Sequence, residues 1–176
     1  MQLRLTRKLI CAVLLGGCVA VSPVFAGEPG GGLSSAEQSN YLAELKRLYL
    51  TQDERQALLA HSNDLLKTYA LRAAYQVGQA QRQDRLYQLS VVGPGELLLR
   101  EEVRSESGTD VAVRNQRIVL FGVDPFVRYD CPASGIRCVL HNPQDGSPLL
   151  SIVRDHKGAA ELAKALSFLI RNLQKG

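Results

Sequence analysis

The stretch RLYQLSVVGPGELLLREEV, residues 85–103, decides the fold. Before it, apolar residues recur at helical steps. Within it they alternate, with Tyr87, Leu89 and Val91 on one side, then Leu97, Leu99 and Val103. A period of two is the signature of a half-buried strand. GPGE, residues 93–96, breaks the alternation where a hairpin needs its turn. Pro94 fixes φ and Gly95 is free to take a positive φ. Two strands joined by a tight turn therefore begin near Asp84.

Downstream the same grammar repeats. SGTD, residues 107–110, reads as another turn, and VAVRNQRIVLFGV as a third strand with a potential break at Asn115-Gln116. After the DPF break, FVRYDC and IRCVLH flank a short loop. NPQDGSP, residues 142–148, is a further turn, and LLSIVR, residues 149–154, a last strand. Five or six short strands joined by turns predict an antiparallel meander. The mixed-sign run REEVRSE, residues 100–106, reads as the solvated face of strand two, guarding against strand-to-strand aggregation.

Upstream, two N-terminal helices are predicted, over about residues 36–50 and 52–82. Ser34 or Ser35 is available to cap the first, whose stripe is Leu42, Leu45 and Tyr49. TQDE, residues 51–54, reads as a capping box for the second. Its stripe is Leu59, Leu66, Ala70, Ala73, Val77 and Ala80. The chain closes with an amphipathic helix, DHKGAAELAKALSFLIRNLQ, in which Asp155 is the expected N-cap. Leu162, Ala163, Leu166, Leu169, Ile170 and Leu173 fall on one apolar arc. The expected class is α+β, with this C-terminal helix packed on the sheet and residues 36–176 forming a single domain.

The first 26 residues carry a different message. Arg4, Arg7 and Lys8 precede an uncharged run from Leu9 to Val21, followed by Pro23 and Val24-Phe25-Ala26. A cationic start, a short apolar run and small residues at the cut are the marks of a cleaved signal peptide, with cleavage after Ala26. The run is short for a membrane span, which needs about 20 apolar residues. Leu15-Gly16-Gly17-Cys18 offers the alternative of a lipoprotein anchored through Cys18; the apolar residues that follow Cys18 argue against it. Residues 27–35, GEPGGGLSS, are expected to be a flexible tail. The expected destination is periplasmic or secreted, with membrane attachment only if Cys18 is lipidated.

Removing the leader changes the charge and the cysteine count. The whole chain has 21 Lys+Arg against 17 Asp+Glu; taking away Arg4, Arg7 and Lys8 leaves 18 against 17. That balance gives a nucleic-acid partner no electrostatic footing. Cys11 and Cys18 leave with the leader, and Cys131 and Cys138 remain as an even pair. In an oxidising compartment such a pair reads as a disulfide. If the flanking segments form a hairpin, the two cysteines lie close to opposite one another. Closing so short a loop stabilises by about 2–3 kcal/mol.

The remaining candidates for chemistry are few. A structural zinc site needs four ligands, and only His141 lies near the cysteines. His61 and Asp64, one helical turn apart, read as a solvated surface pair. Asp130, His141 and Ser134 form the one imaginable hydrolytic triplet, without a nucleophile-elbow motif. No cofactor is implied. Phe168 projects among Lys164, Asn172 and Lys175, where it would serve as a binding anchor unless Tyr41, Leu45 or Tyr69 covers it. The loop between the cysteines displays Ser134 and Ile136 as further contact candidates. The functional expectation is a non-catalytic envelope protein with a protein partner, acting as an adaptor, assembly factor or inhibitor. A small-ligand or lipid-binding module is the first alternative, a small hydrolase the second.

Overall fold

The computed structural model describes residues 35–176. The expected signal peptide, the Cys18 lipobox and the Gly-rich tail through residue 34 lie outside those residues. The element order is α1 (Ser35–Leu48), α2 (Glu54–Thr68), a 3-10 turn (Ala73–Tyr75), β1 (Gln83–Gly93), β2 (Glu96–Ser105), β3 (Val111–Val119), β4 (Tyr129–Asp130), β5 (Arg137–His141), β6 (Pro148–Val153) and α3 (His156–Gln174). The class is α+β, with antiparallel strands throughout and α3 packed on the sheet.

The strands do not form one meander. They divide into two three-stranded sheets, β1-β2-β3 and β4-β5-β6. The residues that join them were expected to be helical. Ala70 bridges Ile152 of β6, and Leu71 bridges Arg85 of β1. Arg85 N–H donates to Leu71 O at 2.8 Å, and Val153 N–H donates to Tyr69 O at 2.9 Å. This strip is why α2 stops at Thr68 and not near residue 82. The stripe continuing through Val77 had no partner to bury it, and Val77 is 80% exposed. The backbone bonds on offer from β1 and β6 outweigh helix propensity, a weak prior whenever tertiary structure competes.

Local chemistry sets the other boundaries. The N-cap of α2 is Asp53, not Thr51. Its carboxylate accepts from Arg55 N–H at 2.8 Å and Gln56 N–H at 3.1 Å. A carboxylate this close to the helix start also complements the dipole. Helix α1 ends in a Schellman turn, with Thr51 N–H donating to Lys46 O at 3.0 Å and Leu50 in the left-handed region at φ 50°. The β1–β2 turn places Gly95 at φ +65°, as its sequence predicted. Strand β3 runs through Asn115-Gln116 without a break. Asp155 caps α3 by accepting from Gly158 N–H at 2.7 Å.

The core lies where α2, α3 and both sheets meet. Leu58 and Leu66 of α2, Leu162, Leu169 and Leu173 of α3, and Leu97, Leu99, Leu140, Leu150 and Ile152 of the strands are fully buried. Burying a side chain of this size contributes about 1.5–3 kcal/mol. Gly158 lets α3 approach Tyr69, since a Cβ there would come within 2.6 Å of the ring. Asn63 of α2 closes part of the β1 edge. Its amide donates to Leu89 O at 3.0 Å and accepts from Leu89 N–H at 2.8 Å.

Candidate functional site

Cys131 and Cys138 follow directly from strand register. Tyr129 pairs with Leu140 and Asp130 with Val139. The next rung brings Cys131 opposite Cys138, with Cα atoms 4.2 Å apart and sulfurs at disulfide distance. This pair is compatible with an oxidising compartment. Strand β4 has only two residues, fewer than the sequence suggested, so the cysteines close its ladder.

Beyond the cysteines the chain makes the loop 132–137, which forms one wall of a cleft of about 540 Å³. Ser134, Ile136 and Arg137 line that wall, and Gln79, Gln81 and Gln83 line the other. Gln76 holds the opposite wall in place. Its side chain donates to Gln83 O and accepts from Gln83 N–H, standing in for a neighbouring strand. Arg85, at the floor, is neutralised by Glu101 at 2.8 Å. Arg137 makes no ion pair among the described residues. The cleft thus offers amides, one hydroxyl, one cation and a few apolar contacts.

The hydrolytic triplet does not assemble. His141 Nε2 lies 2.7 Å from Asp130 Oδ2, and Nδ1 lies 3.0 Å from Gly146 O. Both ring nitrogens are thus engaged by oxygens other than a hydroxyl, and no hydrogen bond joins His141 to Ser134. His141 lines a separate cleft of about 250 Å³ with Phe126, Asp124 and Asp145, whereas Ser134 lines the cleft beside the cysteine loop. Among the described residues, the apolar space beneath α3 is small. The space among Leu89, Leu97, Leu149, Leu166 and Ile170 is about 10 Å³, too small for an acyl chain. Among the described residues no group of three or more His, Cys, Asp or Glu could hold a metal ion, and no helix is long and apolar enough to cross a membrane.

Phe168 is not a surface anchor. It is 5% exposed, and the Tyr41 ring of α1 covers it at 5.3 Å between centroids. The polar ring expected around it is engaged as well. Lys164 Nζ sits 3.9 Å from the Tyr41 centroid and 3.7 Å from Glu161, and Asn172 accepts from Arg55 at 3.0 Å. Lys175 is the exposed C-cap of α3. The alternative reading of the sequence, that Tyr41 covers Phe168, describes the arrangement.

Two polar clusters escaped sequence reasoning. The first links the three helices. Tyr41 OH donates to Glu161 at 2.7 Å, His61 Nε2 lies 3.3 Å from the same oxygen, and Tyr49 OH donates to Asp64 at 2.9 Å while lying 3.2 Å from His61 Nδ1. His61 therefore reaches Asp64 only through Tyr49. Hydrogen bonds from His61 and Tyr41, with the charge of Lys164 beside them, hold the Glu161 carboxyl down at about 2. Burial and the hydrogen bond to Asp64 push the Tyr49 hydroxyl up to about 12. The second cluster is in β2. Glu101 and Glu102 are 6% and 8% exposed, although their run read as a solvated face. Strand β2 is central, and arginines from all three strands cover it. Arg85 and Arg114 reach Glu101 at 2.8 and 2.9 Å, and Arg100 and Arg104 hold Glu102 below its ordinary range. Arginines recurring in each of the three strands, at Arg85, Arg100, Arg104, Arg114 and Arg117, were the available signal; strand order was the missing information. No family model, no curated protein and no solved structure matches this chain.

Proposed function

We propose that the mature chain is an exported, disulfide-bonded envelope protein that holds a protein partner, as an adaptor, assembly factor or inhibitor. The observation that carries this reading is the fixed cysteine loop forming one wall of the 540 Å³ cleft. A covalently pinned loop loses little conformational freedom on binding, and this pre-organisation strengthens association. Ser134 and Ile136 are the contact residues, and Arg137 supplies an unneutralised charge beside them.

The test places a photo-crosslinking side chain at Ser134 in cells that export the protein. The expected result is one discrete adduct with a protein of the envelope, lost when Cys131 and Cys138 are both replaced by alanine. Absence of any adduct from Ser134 and Ile136 alike would overturn the reading. Intact-mass measurement of the exported material adds a second check: the expected species begins at Gly27 and has the mass of an oxidised cysteine pair. Retained leader with reduced thiols would remove the export premise.

A further inference from the structure

We infer that the outer edge of β3 is a docking strand for an extended, acidic segment of a partner protein, which adds to the first sheet as a fourth strand. Strand β3 is last in its sheet, with β2 on one side and no strand on the other among the described residues.

The direction of its backbone groups follows from bonds at each end. Ser105 N–H donates to Asp110 O at 3.0 Å, and Leu120 N–H donates to Gly95 O at 2.8 Å, so even-numbered residues face β2. Val119 O points away and accepts from Gln144 Nε2 at 2.8 Å. Backbone groups alternate sides along an antiparallel strand. Val111, Val113, Asn115 and Arg117 therefore aim both N–H and C=O at the open side. Natural edges are blunted with proline, lysine or bulges. Strand β3 has no proline, no lysine and no register shift against β2. The β1 edge, by contrast, is closed by Asn63 and Leu71.

Side chains name the occupant. Val111 and Val113 are 51% and 49% exposed, which favours β-branched or apolar neighbours at that end. Arg114 and Arg117 side chains are 65% and 71% exposed; Arg114 lies over the buried Glu101 carboxylate, and Arg117 lies 3.6 Å from Glu96 at the start of β2. Strand β3 itself carries two exposed guanidinium groups and no carboxylate. A second copy of β3 is a poor occupant, because VAVRNQRIV has two arginines and no carboxylate to meet them. An acidic strand satisfies the open ladder and, with its carboxylates on the face opposite Val111 and Val113, the Arg114 guanidinium.

The experiment titrates the full mature chain with a synthetic peptide of alternating valine and glutamate, and with its valine–lysine counterpart. The valine–glutamate peptide is expected to shift and protect the amide protons of Val111, Val113, Asn115 and Arg117, with affinity falling as salt rises. Replacing Arg114 and Arg117 together by glutamine is expected to weaken it about tenfold. Asn115→Pro removes an outward N–H without touching the β2 ladder, so the fold survives and binding is lost. Equal binding of the two peptides, unperturbed β3 amides, or wild-type affinity in Asn115→Pro would each overturn the proposal, as would self-association of the chain through β3.

Discussion

The two sheets are held by different means. The first has long ladders, with β1 and β2 paired from Gln83–Ser105 to Gly93–Glu96, and only its near half reaches the core. Its far half rests on hydrogen bonds and on arginines folded over two glutamates. The second sheet has short strands, one of two residues, yet Leu140, Leu150 and Ile152 are fully buried. It depends on α3 and on the cysteine pair. A ribbon that supports itself leaves an edge free for another chain; strands too short to support themselves spend their surfaces on the core.

The sharpest way to break this contrast is to empty the second sheet. Leu140→Ala is expected to cost about 2–5 kcal/mol in urea unfolding, since a fully buried leucine leaves a cavity as well as lost contacts. Replacing both cysteines by alanine is expected to cost about 2–3 kcal/mol, measured the same way, with hydrogen exchange rising in β4 and β5 but not in β1 and β2. Acid should separate the regions more gently. The Glu161 carboxyl titrates lower in the folded chain than in the unfolded one, so its stabilisation is present above about 4.5 and drains as pH falls toward about 2. Hydrogen exchange over that range is expected to loosen α1 from α3 before the first sheet, and Glu161→Gln to flatten the dependence. Smallest of all, Val113→Ala on the open edge should change stability by less than about 0.5 kcal/mol. A large loss there would mean that the edge residues support the fold.

Much of the architecture was legible because it is local. Alternation in residues 85–103, the Gly95 turn, the Asp155 cap and the α3 arc each depend on neighbours in sequence. The cysteine pair was legible for the same reason: seven positions separate its members across one hairpin. What failed depended on distant partners. Ala70 and Leu71 sit in a stripe that looks helical, and only β1 and β6 turn them into ladder rungs. Phe168 looked exposed because Tyr41 lies 127 positions away in the chain. Glu101 and Glu102 looked solvated because a strand's rank in its sheet is not written in its own residues. The clefts themselves were invisible for that reason, although Ser134 and Ile136 were singled out through the cysteines that flank them.

The strip at Tyr69–Leu71 has a consequence for how the molecule comes together. Its bond to Arg85 joins neighbours in the chain, whereas its bond to Val153 must wait for a residue far downstream. Contacts that close short loops form early, and those closing long ones form late. A polypeptide halted before residue 148 would hold a finished hairpin trio beside an open, greasy seam, which only the final strand and helix can seal.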